Sequence, residues 1–315
     1  MIPKVSILIP LFNGEKYISD AINSALKQTW KNIEIIVVDD GSNDDSFNIV
    51  SNFSSDIIKV YRQDNLGACA ARNKAFELST GDYIQYLDAD DLLSENKIED
   101  QLKHFKIHDD SIISSCKWKR YHNGSEIFYK RREIDRSYEN PIDWLVDSWM
   151  GKGAGQTSIW LTPRSIIKKS GKWNETVKKN QDGEFFCRVI LNSKAIIYSE
   201  DACVYYRFDE NSLSNVRNFE ASESLLHTYE LYVAHLQNYI QKEEIRKALA
   251  SNFSRYYYSI YPNFPQLLDR AEENLEKIGV QKFPPVGSKQ FKLLGHFLGL
   301  KNALKLRSYI NNCIH

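Results

Sequence analysis

The chain has 315 residues, and its 41 Lys+Arg against 41 Asp+Glu give a formal net charge of zero. That length allows one large domain or two, with a core that needs no staples, and the 26% charged and 12% aromatic residues exclude wholesale disorder. The charge balance removes the usual basic footprint of a nucleic-acid binder, no apolar run approaches the roughly 18–20 residues that span a bilayer, and Met1-Ile2-Pro3-Lys4 lacks the regions of a signal peptide, so the expectation is a soluble, intracellular, globular protein.

Val5-Ser6-Ile7-Leu8-Ile9 and Ile33-Glu34-Ile35-Ile36-Val37-Val38 are apolar runs rich in β-branched residues, suited to strands covered on both faces. Between them Tyr17, Ile18, Ala21, Ile22, Ala25 and Leu26 recur at helical steps and predict an amphipathic helix, which completes a βαβ unit. A helix near 45–53, a strand at 57–61, a helix at 68–78 and a buried strand at 83–87 continue the alternation, so this half is α/β with a mostly parallel sheet. From about 110 to 220 the pattern predicts short strands among many Trp and Tyr, with a glycine-rich stretch at Gly151–Gly155 that reads as a mobile loop. Beyond Ser222 the chain reads as helical. Leu225, Tyr229, Tyr232, Leu236 and Tyr239 share one face, Ile245, Leu249, Phe253 and Ile260 mark a second helix, and Leu267, Ala271, Leu275 and Ile278 a third. Pro284-Pro285 then interrupts before a last segment of about 30 residues. The expected organisation is 1–220, halved at 110, followed by a helical region at 221–315.

Open α/β sheets place their chemistry beyond the carboxyl ends of the strands. Three such ends carry polar clusters: Pro10-Leu11-Phe12-Asn13-Gly14-Glu15, Asp39-Asp40-Gly41-Ser42 and Asp88-Ala89-Asp90-Asp91. A bare Asp-x-Asp is usually an exposed acidic turn, but here it follows an apolar run. Two carboxylates flanking a small residue at a buried strand exit can hold a divalent cation against a diphosphate. Asp39-Asp40-Gly41-Ser42 can be a tight turn with a helix cap; it can also offer a carboxylate to a nucleobase imide or a ribose.

Taken in order with Asn65-x-Gly67, Ala71-Arg72-Asn73 and Gly81-Asp82-Tyr83, these motifs closely resemble glycosyltransferase family 2, over roughly residues 3 to 215. The resemblance implies a GT-A nucleotide-sugar-binding fold with an α-helical C-terminal extension. It implies that Pro10, Phe12, Asn13 and Glu15 line the nucleotide pocket, that Asp39, with Asp40, meets the base, and that Arg72 lies beside the diphosphate. Asp88 and Asp90 fall on the family's metal motif for Mn2+ or Mg2+, with Asp90 the direct ligand. The family's catalytic carboxylate, at a helix start, falls on Asn180-Gln181-Asp182-Gly183-Glu184; Asp182 is the expected base and Glu184 the competing carboxylate, placed with the acceptor. The bland reading of Asp182 is a first-turn acid favoured by the helix dipole. One departure stands out: Tyr206-Arg207-Phe208-Asp209 carries Asp209 where the family often has His. Asp209 could ligate the ion but adds negative charge beside a diphosphate, which Arg207 would partly offset.

The reaction implied is a single inverting displacement that moves a hexosyl or N-acetylhexosaminyl group from a UDP-sugar to a hydroxyl of a surface glycan or its lipid-linked precursor. A sugar nucleotidyltransferase and a non-catalytic sugar-nucleotide-binding protein are the competing classes. The first usually has a glycine-rich, basic strand-one loop, which Pro10–Glu15 lacks; Asp88, Asp90 and Asp182 argue against the second. Trp149 and Trp160, with Trp144, could stack on an acceptor sugar or belong to the core. The five dispersed cysteines read as reduced, buried thiols. After Glu276 no acidic residue occurs, while Lys277, Lys282, Lys289, Lys292, Lys301, Lys305 and Arg307 are basic. With Leu293, Phe297, Leu300 and Leu304 on one helical face, 286–315 suits either an anionic membrane or the preceding helices. The expected location is therefore cytoplasmic, with contact to the inner face of the plasma membrane left open.

Overall fold

Seven consecutive buried residues make β1 (Val5–Leu11) the centre of the structure, a computed structural model that describes residues 2–122, 125–126, 129–208 and 218–314. There follow α1 (Ile18–Leu26), β2 (Ile33–Asp39), α2 (Ser46–Ser51), β3 (Ile58–Arg62), α3 (Ala68–Leu78) and β4 (Tyr83–Tyr86). Then come β5 (Leu92–Leu93), α4 (Lys97–His108), β6 (Ile113–His122), β7 (Ser125–Glu126), α5 (Ile142–Trp149), β8 (Thr162–Pro163), α6 (Arg164–Ser170), α7 (Gln181–Leu191) and β9 (Ile196–Arg207). The rest is helical: α8 (Phe219–His235), α9 (Glu243–Ile260), α10 (Pro265–Lys277), α11 (Lys289–Leu298) and α12 (Leu300–Ile314).

The chain divides into two compact units. The first comprises Met1–Trp144, Gly153–Thr176 and Arg188–Ser212. Its main sheet has the order β3-β2-β1-β4-β8, parallel except for β8. β2 is as fully buried as β1, since α3 packs on both strands, and α1 in turn buries Ile18, Ala21, Ile22 and Ala25; burying each Ile is worth about 1.5–3 kcal/mol. The second sheet, β5-β9-β6-β7, is built on two long strands, not the short ones expected: β6 and β9 run parallel over 10 and 12 residues. Their alternation is interrupted by polar residues and by a register shift at Cys116/Lys117, so neither reads as one continuous strand.

The second unit comprises Leu145–Lys152, Val177–Cys187 and Leu213–His315. α8 buries Leu226 and Tyr232 and ends at His235; Leu236 is its buried C-cap, and Tyr239 falls in the following 3-10 turn and not on its face. The tail departs further. Gly299, at φ 76°, ends α11, and the expected single stripe splits there: Leu300 and Leu304 are buried, whereas Leu293 and Phe297 are 61% and 77% exposed. Among the described residues no helix is long and apolar enough to cross a membrane. Cys69, Cys116, Cys187 and Cys203 are buried free thiols, as their dispersal suggested.

A polar knot ties the amino ends of the central strands. Glu34 on β2 accepts from Lys4 Nζ (2.8 Å), Ser6 Oγ (2.7 Å) and the backbone N–H groups of Thr80 and Gly81 (2.5 and 3.1 Å). Burial alone would raise its pKa, but these donors win and lower it from 4.5 to about 2. Because the folded-state pKa is depressed, the stabilisation is complete above pH 4.5 and is lost as pH falls toward 2. Glu34→Gln should cost about 3 kcal/mol at pH 7. In urea melts taken at several pH values, the gap between variant and parent should close across that acidic window.

Candidate active site

The loop after β1 and the loop after β2 are laced together. Asn13, itself at φ 50°, donates its N–H to Ser42 Oγ (2.9 Å), and its Oδ1 accepts from the N–H of Asn43 (2.8 Å). Gly14 N–H donates to Ser46 Oγ (2.8 Å), Glu15 N–H to Asp44 (3.1 Å), and Glu15 Oε2 accepts from Asp45 N–H (3.0 Å). Pro10 is buried at the strand end, while Phe12 stands 45% exposed. Asn13 and Glu15 are therefore committed, at least in part, to shaping this rim. A Cβ on Gly14 would lie 3.7 Å from Ala89, which brings the exits of β1 and β4 together.

The two neighbouring carboxylates at the end of β2 differ. Asp40 is spent on the loop before α3: it accepts from Gln63 Nε2 (2.7 Å) and from the N–H groups of Leu66 (3.0 Å) and Gly67 (2.8 Å). Asp39 is fully buried; one oxygen meets Arg62 Nε (3.2 Å) and Ser42 N–H (3.3 Å), and the other has no hydrogen-bond partner. Such an orphan is costly unless something completes it. Arg62, held over the Phe47 ring at 4.7 Å, also lines a cleft of about 650 Å³ with Gly41, Gln63, Asp64 and Asn65.

At the β4 exit, Asp88 accepts from Arg72 Nη2 (2.8 Å). Arg72 is positioned by the indole of Trp173, 4.5 Å beneath it, and the Trp173 loop is clamped to α3 by Asn73, which exchanges hydrogen bonds with its backbone at 2.8 and 3.0 Å. Arg207 supplies the second cation: its backbone N–H donates to Asp91 Oδ1 (3.0 Å), its Nε to the Asp90 carbonyl (3.0 Å), and its Nη2 to Asp20 (3.2 Å). Asp91 is fully buried with Oδ2 unpartnered, and burial, then the negative charges of Asp90 and Asp88, push its pKa well above the usual range. The cluster offers only oxygen donors, one of them buried and unpartnered, and oxygen is the donor type that hard divalent cations take. Among the described residues no group of three or more His, Cys, Asp or Glu forms a ready metal cage. Asp209 lies outside the described residues.

Asp182 lies in the second unit, half-buried in the first turn of α7. That turn is anchored by Asn180, at φ 60°, whose Nδ2 donates to the Tyr232 hydroxyl (2.9 Å). Glu184 is only 2% exposed and pairs with His235 (2.9 Å), which leaves its carboxylate no open face for an acceptor. The tryptophans are likewise core residues. Trp160 is 2% exposed and packs edge-on against Trp144, and Trp149 is 8% exposed and stacked on Tyr232, so none forms a sugar platform. The glycine-rich stretch is anchored instead of loose: the Ala154 carbonyl accepts from Trp118 Nε1 (2.8 Å), and a Cβ on Gly155 would press on Trp144 at 3.0 Å. Trp173, Arg62 and the Ser42/Ser46 hydroxyls carry no signal for these roles in the sequence, since their partners lie 20 or more residues away or act by ring stacking.

The sequence profile described as Glycosyl transferase family 2 matches residues 6–192. An uncharacterized glycosyltransferase of Rickettsia typhi is 30% identical over 241 residues, covering 76% of this chain and 72% of that protein. Glycosyltransferase GlyG of Streptococcus pneumoniae is 28% identical over 221 residues, covering 66% and 72% respectively. The crystal structure of S. aureus TarS 1–349 in complex with UDP-GlcNAc superposes with a TM-score of 0.72 at 18% identity, over 98% of this chain and 92% of that one.

Gly183 is required by the packing of the α7 start. A Cβ there would meet the Tyr232 hydroxyl and the Asn180 side chain well inside van der Waals contact. Gly183→Ala should therefore destabilise by about 1–3 kcal/mol despite its better helix propensity. Tyr232→Phe, which removes the clashing oxygen, should recover part of that loss in a double-mutant cycle read by urea unfolding.

Proposed function

The chain belongs to glycosyltransferase family 2 and has the GT-A fold, and on that premise we propose that it transfers a sugar from a UDP-sugar to a hydroxyl of a saccharide or lipid-linked acceptor, with inversion. The observation that carries this reading is Asp39, a buried carboxylate with one unsatisfied oxygen, paired with the Arg62 that lines an open cleft at the carboxyl end of a parallel sheet. A uracil imide N–H is the kind of donor that would complete it. The binding of UDP-GlcNAc by TarS supports the same donor class here, and an N-acetylhexosaminyl or hexosyl group is the proposed cargo.

Each residue then has a task. Asp40 and the laced loops at Asn13 and Glu15 hold the rim of the nucleotide pocket. Arg72, steadied by Trp173, faces the diphosphate, and Arg207 balances the acidic cluster. Asp90 and Asp88 would hold Mg2+ or Mn2+; when bound, the ion supplies charge neutralisation for the departing diphosphate. Asp182, favoured as an anion by the α7 dipole, takes the proton of the acceptor hydroxyl, whose oxygen attacks the anomeric carbon as the nucleoside diphosphate leaves. The acceptor is proposed to be a growing surface polysaccharide or its lipid-linked precursor.

The test is release of nucleoside diphosphate from a panel of nucleotide sugars. Turnover should be strongest with one UDP-sugar, be abolished by EDTA and return with Mn2+ or Mg2+. Asp182→Asn should reduce transfer by about 10²–10⁴-fold while leaving UDP-sugar binding intact. Parent-like transfer by that variant would remove Asp182 from its role, and release of pyrophosphate in place of nucleoside diphosphate would make the enzyme a nucleotidyltransferase.

A further inference from the structure

The tail helices turn a chemically uniform face to solvent. On α11 the exposed residues include Lys289, Lys292, Leu293, His296 and Phe297, a stripe at i, i+3, i+4, i+7 and i+8, with Gln290 and Leu298 exposed beside it. α12 repeats the spacing with Asn302, Lys305, Leu306, Tyr309 and Ile310. Leu293, Phe297 and Tyr309 are 61%, 77% and 69% exposed. The opposite sides of the helices hold the tail in place: Leu300, Ala303 and Leu304 are buried, Lys301 pairs with Glu272 (2.6 Å), and Arg307 lies over the rings of Tyr258 (4.5 Å) and Phe291 (5.3 Å). Some of the tail's cations are thus structural, but Lys289, Lys292 and Lys305 have no carboxylate partner among the described residues, and no Asp or Glu follows Glu276.

We infer that this face docks on an anionic lipid surface. Long apolar side chains interleaved with lysines gain little in water. At a bilayer interface the apolar groups enter the acyl boundary while lysine stems lie along it and their ammonium groups meet the headgroups. A protein partner is the poorer match, because the centres of protein interfaces are depleted in Lys, and here lysines stand between the apolar positions. The docking does not depend on the transfer chemistry: it can fail while the donor assignment stands, and the reverse.

The full chain should float with vesicles of phosphatidylglycerol and phosphatidylcholine, remain unbound with phosphatidylcholine alone, and be released as salt rises. Replacing Lys289, Lys292 and Lys305 with Gln should weaken partitioning by about fivefold per lysine, while replacing the same three with Arg should preserve it. Leu293→Ser with Phe297→Ser should also release the protein, with an unchanged thermal melt because both side chains are exposed. Absence of binding to the anionic vesicles, or equal binding to neutral ones, would overturn the inference. So would concentration-dependent self-association in sedimentation velocity that Phe297→Ser abolishes, since the face would then belong to a second copy of the chain.

Discussion

Negative charge concentrated at the carboxyl ends of buried strands is the constraint around which the first unit is organised. Asp39, Asp40, Asp88, Asp90 and Asp91 are delivered there by β2 and β4, and like charges gathered in a half-dry site repel one another. The fold answers with one device for each group. Arg62 sits against Asp39, backbone N–H groups of the 66–67 turn cap Asp40, Arg72 bridges to Asp88, and Arg207 reaches Asp91 and the Asp90 carbonyl. The two oxygens left unpartnered, Asp39 Oδ1 and Asp91 Oδ2, are the residue of that balance. They mark where charge or donors from outside the chain would be most strongly felt.

The cations are themselves held by elements distant in sequence. Trp173 stacks beneath Arg72 while Asn73, the next residue on α3, binds the Trp173 backbone, so one helix positions both the guanidinium and the ring that steadies it. Arg207 ends β9, and β9 pairs with β5 directly after the acidic turn, so the second sheet fixes the far side of that turn. A further support lies deeper. Lys97 is fully buried, its pKa pushed down to about 8 by burial, and its ammonium donates to Gln85 on β4 and Gln101 on α4. Gln85 in turn donates to the Ser158 carbonyl (2.8 Å), and Ser158 Oγ accepts from the Asp88 N–H (3.4 Å). Such a fully bonded network in a low-dielectric core resists displacement, and it leads from the interior to the acidic turn.

The first hundred residues were legible because β-branched runs and helical spacing leave one sensible order of elements. α3 spans the residues that its periodicity predicted, and the neighbouring boundaries differ by a residue or two at most positions. The ordering of polar clusters at strand exits was legible for the same reason. Legibility fell where the period was broken. β6 and β9 were hidden by polar interruptions, and Trp149 and Trp160 resembled an exposed platform because aromatic composition says nothing about burial. The Gly151–Gly155 stretch looked loose because glycine signals either freedom or close approach, and here Gly155 is pressed against Trp144.

What the sequence by itself determined was the order of elements, the family motifs and the charge segregation between acidic strand ends and a basic tail, since all three are local properties of the chain. What only the tertiary structure decided was the division of labour within each cluster. Adjacent Asp39 and Asp40 diverge because Asp40 is capped by the loop before α3, whereas Asp39 is buried against Arg62, which lines the cleft. Glu184 turns inward to His235, two residues from Asp182, and one glycine at 299 sends Leu300 and Leu304 into the core while Leu293 and Phe297 stay in solvent. In each case the deciding energy is desolvation, and whether a side chain keeps its water depends on neighbours that arrive from elsewhere in the chain.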